Sequence, residues 1–130
     1  MALVLVVDDD ATIRSLLREI LQMLGHIVME ATDGAVCMAC IESSPPDLVF
    51  MDIFMPNKDG FEAMSEILAG TRKMKIVAMS GGGKMTGGLE YLEISKHMGA
   101  DRILYKPFSV RQIAQTIEGL LDEERAPDQG

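Results

Sequence analysis

The chain has 130 residues, 48% hydrophobic and 25% charged, with a formal net charge of −8. That length suits one domain with a real core, and the acidic balance has the wrong sign for a nucleic-acid or anionic-membrane surface. No apolar run approaches the ~20 residues of a membrane span, and Met1 to Val7 lacks the length and basic leader of a signal peptide, so a cytoplasmic protein is expected.

Leu3 to Val7 is a continuous apolar run, the pattern of a strand covered on both faces of a parallel sheet, and it runs straight into Asp8-Asp9-Asp10. From Ala11 to Leu24 the apolar positions Ile13, Leu16, Leu17, Ile20, Leu21 and Leu24 repeat with helical period, Asp10 is placed to cap the start, and Gly25 follows the end. Ile27 to Met29 predicts a brief second strand. Gly34 to Ile41 predicts a helix with Val36, Cys37, Cys40 and Ile41 inward, stopped by Ser43-Ser44-Pro45-Pro46. Asp47 to Asp52 predicts a buried third strand with Asp52 where the chain leaves the core.

After the Pro56 to Gly60 turn, a helix is expected from about Asp59 to Ala69, with Gly70 closing it. Lys75 to Met79 is the fourth strand. A glycine-rich segment, Gly81 to Gly88, precedes a fourth helix at about Leu89 to Met98. Arg102 to Tyr105 is the fifth strand. Lys106-Pro107-Phe108-Ser109 leads into a fifth helix carrying Val110, Ile113, Ile117, Leu120 and Leu121, and a polar tail runs from Arg125 to Gly130. Five strands alternating with five helices predict an α/β fold with a doubly wound parallel sheet and right-handed crossovers. Cys37 and Cys40 fall within a helix on one face, where ordinary packing is the expected role. The 11 methionines are likewise expected to fill the core.

In doubly wound sheets, ligands bind beyond the carboxyl ends of the strands. Asp8 and Asp9 follow the first strand, Asp52 the third, Ser80 the fourth and Lys106 the fifth. Neighbouring first and third strands would bring three carboxylates into one small volume, where they repel one another or hold a hard cation. Oxygen-only ligands suit Mg²⁺. Lys106 and Ser80 offer a cation and a hydroxyl to an incoming phosphoryl group. A carboxylate can then attack phosphorus in line. Asp52 is the candidate nucleophile, because the Asp8-Asp9 pair is better suited to holding metal, and the product is an aspartyl phosphate.

Val6-Val7-Asp8-Asp9, Asp52-Ile53-Phe54-Met55-Pro56 with Asp59-Gly60, Ala78-Met79-Ser80 and Lys106-Pro107-Phe108 together resemble the receiver domain of two-component response regulators, the chemotaxis regulators included. The resemblance spans about residues 3 to 122. It implies a flavodoxin-like (βα)5 sheet of order 2-1-3-4-5, with a receiver domain at 1–124 and a tail or linker start at 125–130. It also implies Mg²⁺-dependent phosphoryl transfer from a histidine kinase or phosphotransfer protein to Asp52. Asp9 and Asp52 would then bind Mg²⁺ directly, Asp8 largely through metal-bound water, and the Phe54 backbone carbonyl would be the third protein ligand. Ser80 and Lys106 would contact the phosphoryl group.

The chain would catalyse its own phosphorylation and dephosphorylation without turning over a separate substrate. Output would pass through the face of the fourth helix, fifth strand and fifth helix, to a downstream protein or attached effector, or to a second copy as a homodimer. Direct nucleic-acid and membrane contacts are not expected.

Two features depart from the family. The aromatic switch position, three before the lysine, is Ile103, with Tyr105 on the same strand face as a substitute. The interval from Ser80 to Lys106 is about four residues longer than usual. A receiver that only docks or dimerises is the main alternative. An aspartyl phosphatase built on Asp8-x-Asp10 would leave the Met55-Pro56 and Lys106-Pro107 elements unexplained. A P-loop reading of Gly81 to Lys84 lacks both its first glycine, where Ala78 stands, and its hydroxyl, where Met85 stands.

Overall fold

The computed structural model describes residues 1–53, 60–70, 74–80, 93 and 95–125, without the side chains of 61 and 123–125. The elements are β1 (Leu3–Val7), α1 (Ala11–Met23), β2 (Ile27–Ala31), α2 (Gly34–Ser43), β3 (Leu48–Asp52), α3 (Gly60–Ala69), β4 (Lys75–Ser80), α4 (helical at 93 and 95–98), β5 (Arg102–Tyr105) and α5 (Val110–Arg125). All strands are parallel, in the order β2-β1-β3-β4-β5. This is the predicted topology.

Strand alternation divides the core in two. Val4, Val6, Leu48, Phe50, Val77, Met79 and Leu104 pack with Leu17, Ile20 and Leu21 of α1 and Ile113, Ile117 and Leu120 of α5. Leu5, Val7, Val49, Met51, Ile76 and Ala78 pack on the opposite face with Cys37 and Ile41 of α2 and Ala63, Met64 and Ile67 of α3. A sheet covered on both faces needs apolar residues at every strand position, which is why β1 and β3 read as unbroken hydrophobic runs.

The helix ends follow their local chemistry. Asp10 caps α1, its Oδ1 accepting from the Thr12 N–H at 2.9 Å, and Asp33 caps α2 through the Val36 N–H at 2.9 Å. Ser109 and Gln112 form a reciprocal capping box at the start of α5, at 3.1 and 2.8 Å. Gly25, just past α1, has φ +92°, a conformation that favours glycine.

Several expectations need correction. Val36 is 41% exposed rather than inward, and Cys40 is only half-buried, whereas Cys37 and Ile41 are buried. Apolar residues on nearly every side of α2 leave its sequence without a preferred face. β2 runs on to Ala31, and α5 continues through Arg125. Met51, Met64 and Met79 fill the core, but Met1 and Met23 lie at the surface. The Gly81 to Gly88 segment and Phe54 lie outside the described residues.

Candidate functional site

The hydrogen-bond ladder continues past the strand ends, and this continuation places the predicted residues. The Asp8 N–H donates to the Ala31 carbonyl at 3.1 Å, carrying β1 one step past Val7. The Lys106 N–H donates to the Ser80 carbonyl at 2.8 Å, extending β5 beside β4. Asp52 and Ser80 are themselves the last residues of β3 and β4. By strand alternation Asp8, Asp52 and Lys106 share the side of the sheet that α1 and α5 cover, while Ser80, Ile103 and Tyr105 share the other. Ser80 and Tyr105 are register partners across β4 and β5.

Asp8 is fully buried, and Asp52 and Ser80 are nearly so. Burying two carboxylates is costly unless a cation pairs with them. Lys106 supplies it. Its Nζ lies 2.6 Å from Asp8 Oδ2 and 3.3 Å from Asp52 Oδ2, with the lysine side chain only 14% exposed. Burial alone would pull the Lys106 ammonium down, but the hydrogen bond to Asp8 and the charges of Asp52 and Asp8 outweigh it and hold its pKa above the ordinary value.

Asp9 completes the acidic group from the exposed side. Carboxylate oxygens of Asp8, Asp9 and Asp52 all lie within 4.8 Å of one another. Three carboxylates against one ammonium leave two negative charges uncompensated among these four side chains, the charge of one divalent cation. An all-oxygen donor set open on one side fits a hard ion such as Mg²⁺, which keeps several of its waters. The structure thus brings Asp8, Asp9, Asp52 and Lys106 together, with Ser80 at the end of the neighbouring strand.

Two residues the sequence pattern left unmarked border this group. Arg14 Nη1 donates to the Asp8 carbonyl at 2.7 Å, and Arg14 Nε pairs with Glu30 Oε1 at 3.3 Å. Glu30 Oε2 also accepts from Arg18 Nη1 at 2.7 Å. A basic residue one helical turn after an acidic run was the available signal. The matching acid, 16 residues further on, is visible only once β2 pairs with β1.

The response regulator receiver domain family model matches residues 4–118. The chain belongs to that family. Among curated proteins, this receiver is 36% identical to the chemotaxis protein CheY of Halobacterium salinarum, over 91% of this chain and 95% of that protein. It is 34% identical to a probable transcriptional regulator, ycf27, of Guillardia theta, over 91% of this chain but 44% of that protein. The chain spans about half the length of the curated transcriptional regulators it matches. Among solved structures, the receiver domain of NtrX from Brucella abortus superposes with a TM-score of 0.84 at 31% identity, covering 92% of this chain and 98% of that one. This is therefore a receiver domain of two-component signalling. Among the described residues, no helix is long and apolar enough to cross a membrane.

Proposed function

We propose that this receiver accepts a phosphoryl group on Asp52 in a Mg²⁺-dependent transfer from a histidine kinase or phosphotransfer protein. The observation that carries this reading is the clustering of the Asp8, Asp9 and Asp52 carboxylates, with Lys106 paired to two of them. Asp9 and Asp52 would hold the cation directly, and Asp8 largely through metal-bound water. The family's third ligand, the Phe54 carbonyl, lies outside the described residues. When bound, Mg²⁺ supplies positive charge opposite the phosphoryl oxygens.

The chain's own residues do the rest. An Asp52 carboxylate oxygen forms the new P–O bond as the P–N bond to the donor histidine breaks, and the electron pair leaves with the imidazole nitrogen. Lys106 shifts from neutralising carboxylates to neutralising the phosphoryl group. The Ser80 hydroxyl donates to a phosphoryl oxygen. The same groups serve the hydrolysis that resets Asp52, and no separate substrate is turned over.

Output runs through the α4-β5-α5 face to a partner protein, an attached effector or a second copy of the receiver. Ser80 reports on Asp52 from the opposite side of β4, and two switch candidates lie beside it on β5. Ile103 packs against the core and has no hydroxyl, whereas Tyr105 is 38% exposed and is the register partner of Ser80. Tyr105 is therefore the better-placed relay. The receiver unit occupies 1–124 in this reading, with 125–130 as tail or linker start, in the cytoplasm.

Incubation with acetyl phosphate and Mg²⁺ tests the chemistry. The wild-type chain is expected to gain the mass of one phosphoryl group, and neither Asp52→Asn nor wild type in EDTA should gain it. No gain in wild type would refute phosphoacceptance and leave the docking-only receiver, whose partner contacts need no phosphate.

A further inference from the structure

We infer that Arg14 is a positioning residue for the cation site, acting through the peptide that joins Asp8 to Asp9. The inference rests on the reading of that site given above. Asp8 is tied at every polar group. Its N–H donates to the Ala31 carbonyl at 3.1 Å, its Oδ1 accepts from the Asp10 N–H at 2.9 Å, and its Oδ2 accepts from Lys106 at 2.6 Å. Its carbonyl accepts from Arg14 Nη1 at 2.7 Å. Asp9, by contrast, is exposed and has no hydrogen bond or ion pair with the described residues, although its carboxylate belongs to the acidic group. What aims Asp9 is therefore its backbone.

The Asp8 carbonyl and the Asp9 nitrogen share one rigid plane. Fixing the carbonyl direction fixes the rotation of that plane and so the Asp9 N–Cα bond, while the Asp10 N–H to Asp8 Oδ1 bond closes the turn on the other side of Asp9 and limits its remaining rotation. Arg14 is suited to this task. Its side chain is only 17% exposed, and its guanidinium is braced by Glu30, itself paired with Arg18. Glu30 immediately precedes Ala31, the residue that receives the Asp8 N–H. The turn is thus held on both sides by adjacent residues of β2, once directly and once through Arg14. The fork geometry of a guanidinium allows one side chain to reach both the carbonyl and the carboxylate.

Charge and positioning make opposite predictions. As a cation near a cation site, Arg14 disfavours Mg²⁺, so its removal would tighten binding. As the support for Asp9, it favours Mg²⁺, so its removal weakens binding. Residues that orient metal ligands are typically worth about 10–100-fold in affinity, and the Glu30 carboxylate, shared with Arg18, partly offsets the Arg14 charge, so positioning should dominate.

The test is titration of the full chain with Mg²⁺ alone, followed by backbone amide chemical shifts, for wild type, Arg14→Met, Arg14→Lys and Glu30→Gln. Arg14→Met is expected to bind Mg²⁺ about 10-fold more weakly or worse. Arg14→Lys keeps the charge but cannot span both partners, so it should fall between Arg14→Met and wild type. Glu30→Gln should weaken binding less than Arg14→Met does, and add nothing in the Arg14→Met background. At saturating Mg²⁺ the rate of modification by acetyl phosphate should return to near the wild-type value.

Unchanged or tighter Mg²⁺ binding by Arg14→Met, with wild type binding normally, would overturn the inference while leaving the site reading intact. A rate that stays depressed at saturating Mg²⁺ would also overturn it. Failure of wild type itself to bind Mg²⁺ would refute the site reading and the inference together. Should Arg14→Met not fold, Arg14→Lys carries the same comparison, and wild-type affinity in that variant would overturn the inference.

Discussion

Lys106 is the residue on which the buried charge balance turns. One ammonium touches both Asp8 and Asp52, so two buried carboxyl groups share a single cation. Breaking a buried pair from one side leaves uncompensated charge, so Lys106→Met in metal-free buffer is expected to lose about 3 kcal/mol in urea unfolding. The sign with pH follows from the raised Lys106 pKa. The folded state holds this proton more tightly than the unfolded chain, whose lysine titrates near ~10.4. The lysine's contribution is therefore complete below that pH and is lost as pH rises through the folded-state value. The gap between wild type and Lys106→Met should close in strongly alkaline buffer, and a gap that widens there would contradict the pairing.

Asp9 should show the reverse behaviour. It adds a like charge to the group and has no partner among the described residues, so Asp9→Asn should raise the melting temperature in EDTA. Mg²⁺ should then stabilise wild type more than Asp9→Asn, because stabilisation by a ligand grows with its affinity for the native state and the variant lacks one carboxylate of the group. A lower melting temperature for Asp9→Asn in EDTA would show that Asp9 is not repelled there.

At the scale of elements, the starts of α1, α2 and α5 are where sequence and structure agree most closely, since each is fixed by chemistry within one turn. Asp10 caps α1 as its position before the apolar period predicts, and Ser109 with Gln112 caps α5. Ser109→Ala should therefore cost about 1 kcal/mol in chemical unfolding, leaving the acidic group intact because Lys106 is tied to β4 by its own backbone bond. A near-zero cost would mean that solvent replaces the cap. Agreement weakens where a residue's surroundings are set by distant chain. Val36 is exposed where the sequence predicts it inward, because α2 is apolar on most sides and no periodicity in Gly34 to Ile41 chooses among them. The end of β2 was hidden for a related reason. Glu30 is an unpromising strand residue on its own, and its place there is explained by Arg14 and Arg18 reaching it from α1.

For the whole molecule, the legible part of the site was its topology. Buried parallel strands announce themselves as apolar runs, the ligand-binding edge of such a sheet is its carboxyl end, and Asp8, Asp9, Asp52, Ser80 and Lys106 stand at those ends. The pairings within the site were not legible. Lys106 meets Asp8 across a separation of 98 residues, and sequence alone placed the lysine near a phosphoryl group without showing that it first joins two carboxylates. Arg14 is not legible in the sequence because its partner is a backbone carbonyl, which carries no residue-type signature.

The net result is an acidic cluster that a lysine only partly neutralises, at the carboxyl ends of the strands, with a donor set that suits a divalent cation. The proposed acceptor of a phosphoryl group is Asp52, rather than either of the two adjacent acids after β1. Treatment with acetyl phosphate and Mg²⁺, reductive trapping with borohydride and peptide sequencing test it most directly, because reduction converts an acyl-phosphorylated aspartate to homoserine. Homoserine at position 52 is the expected result. Homoserine at position 8 or 9, or at none of the three, would contradict it.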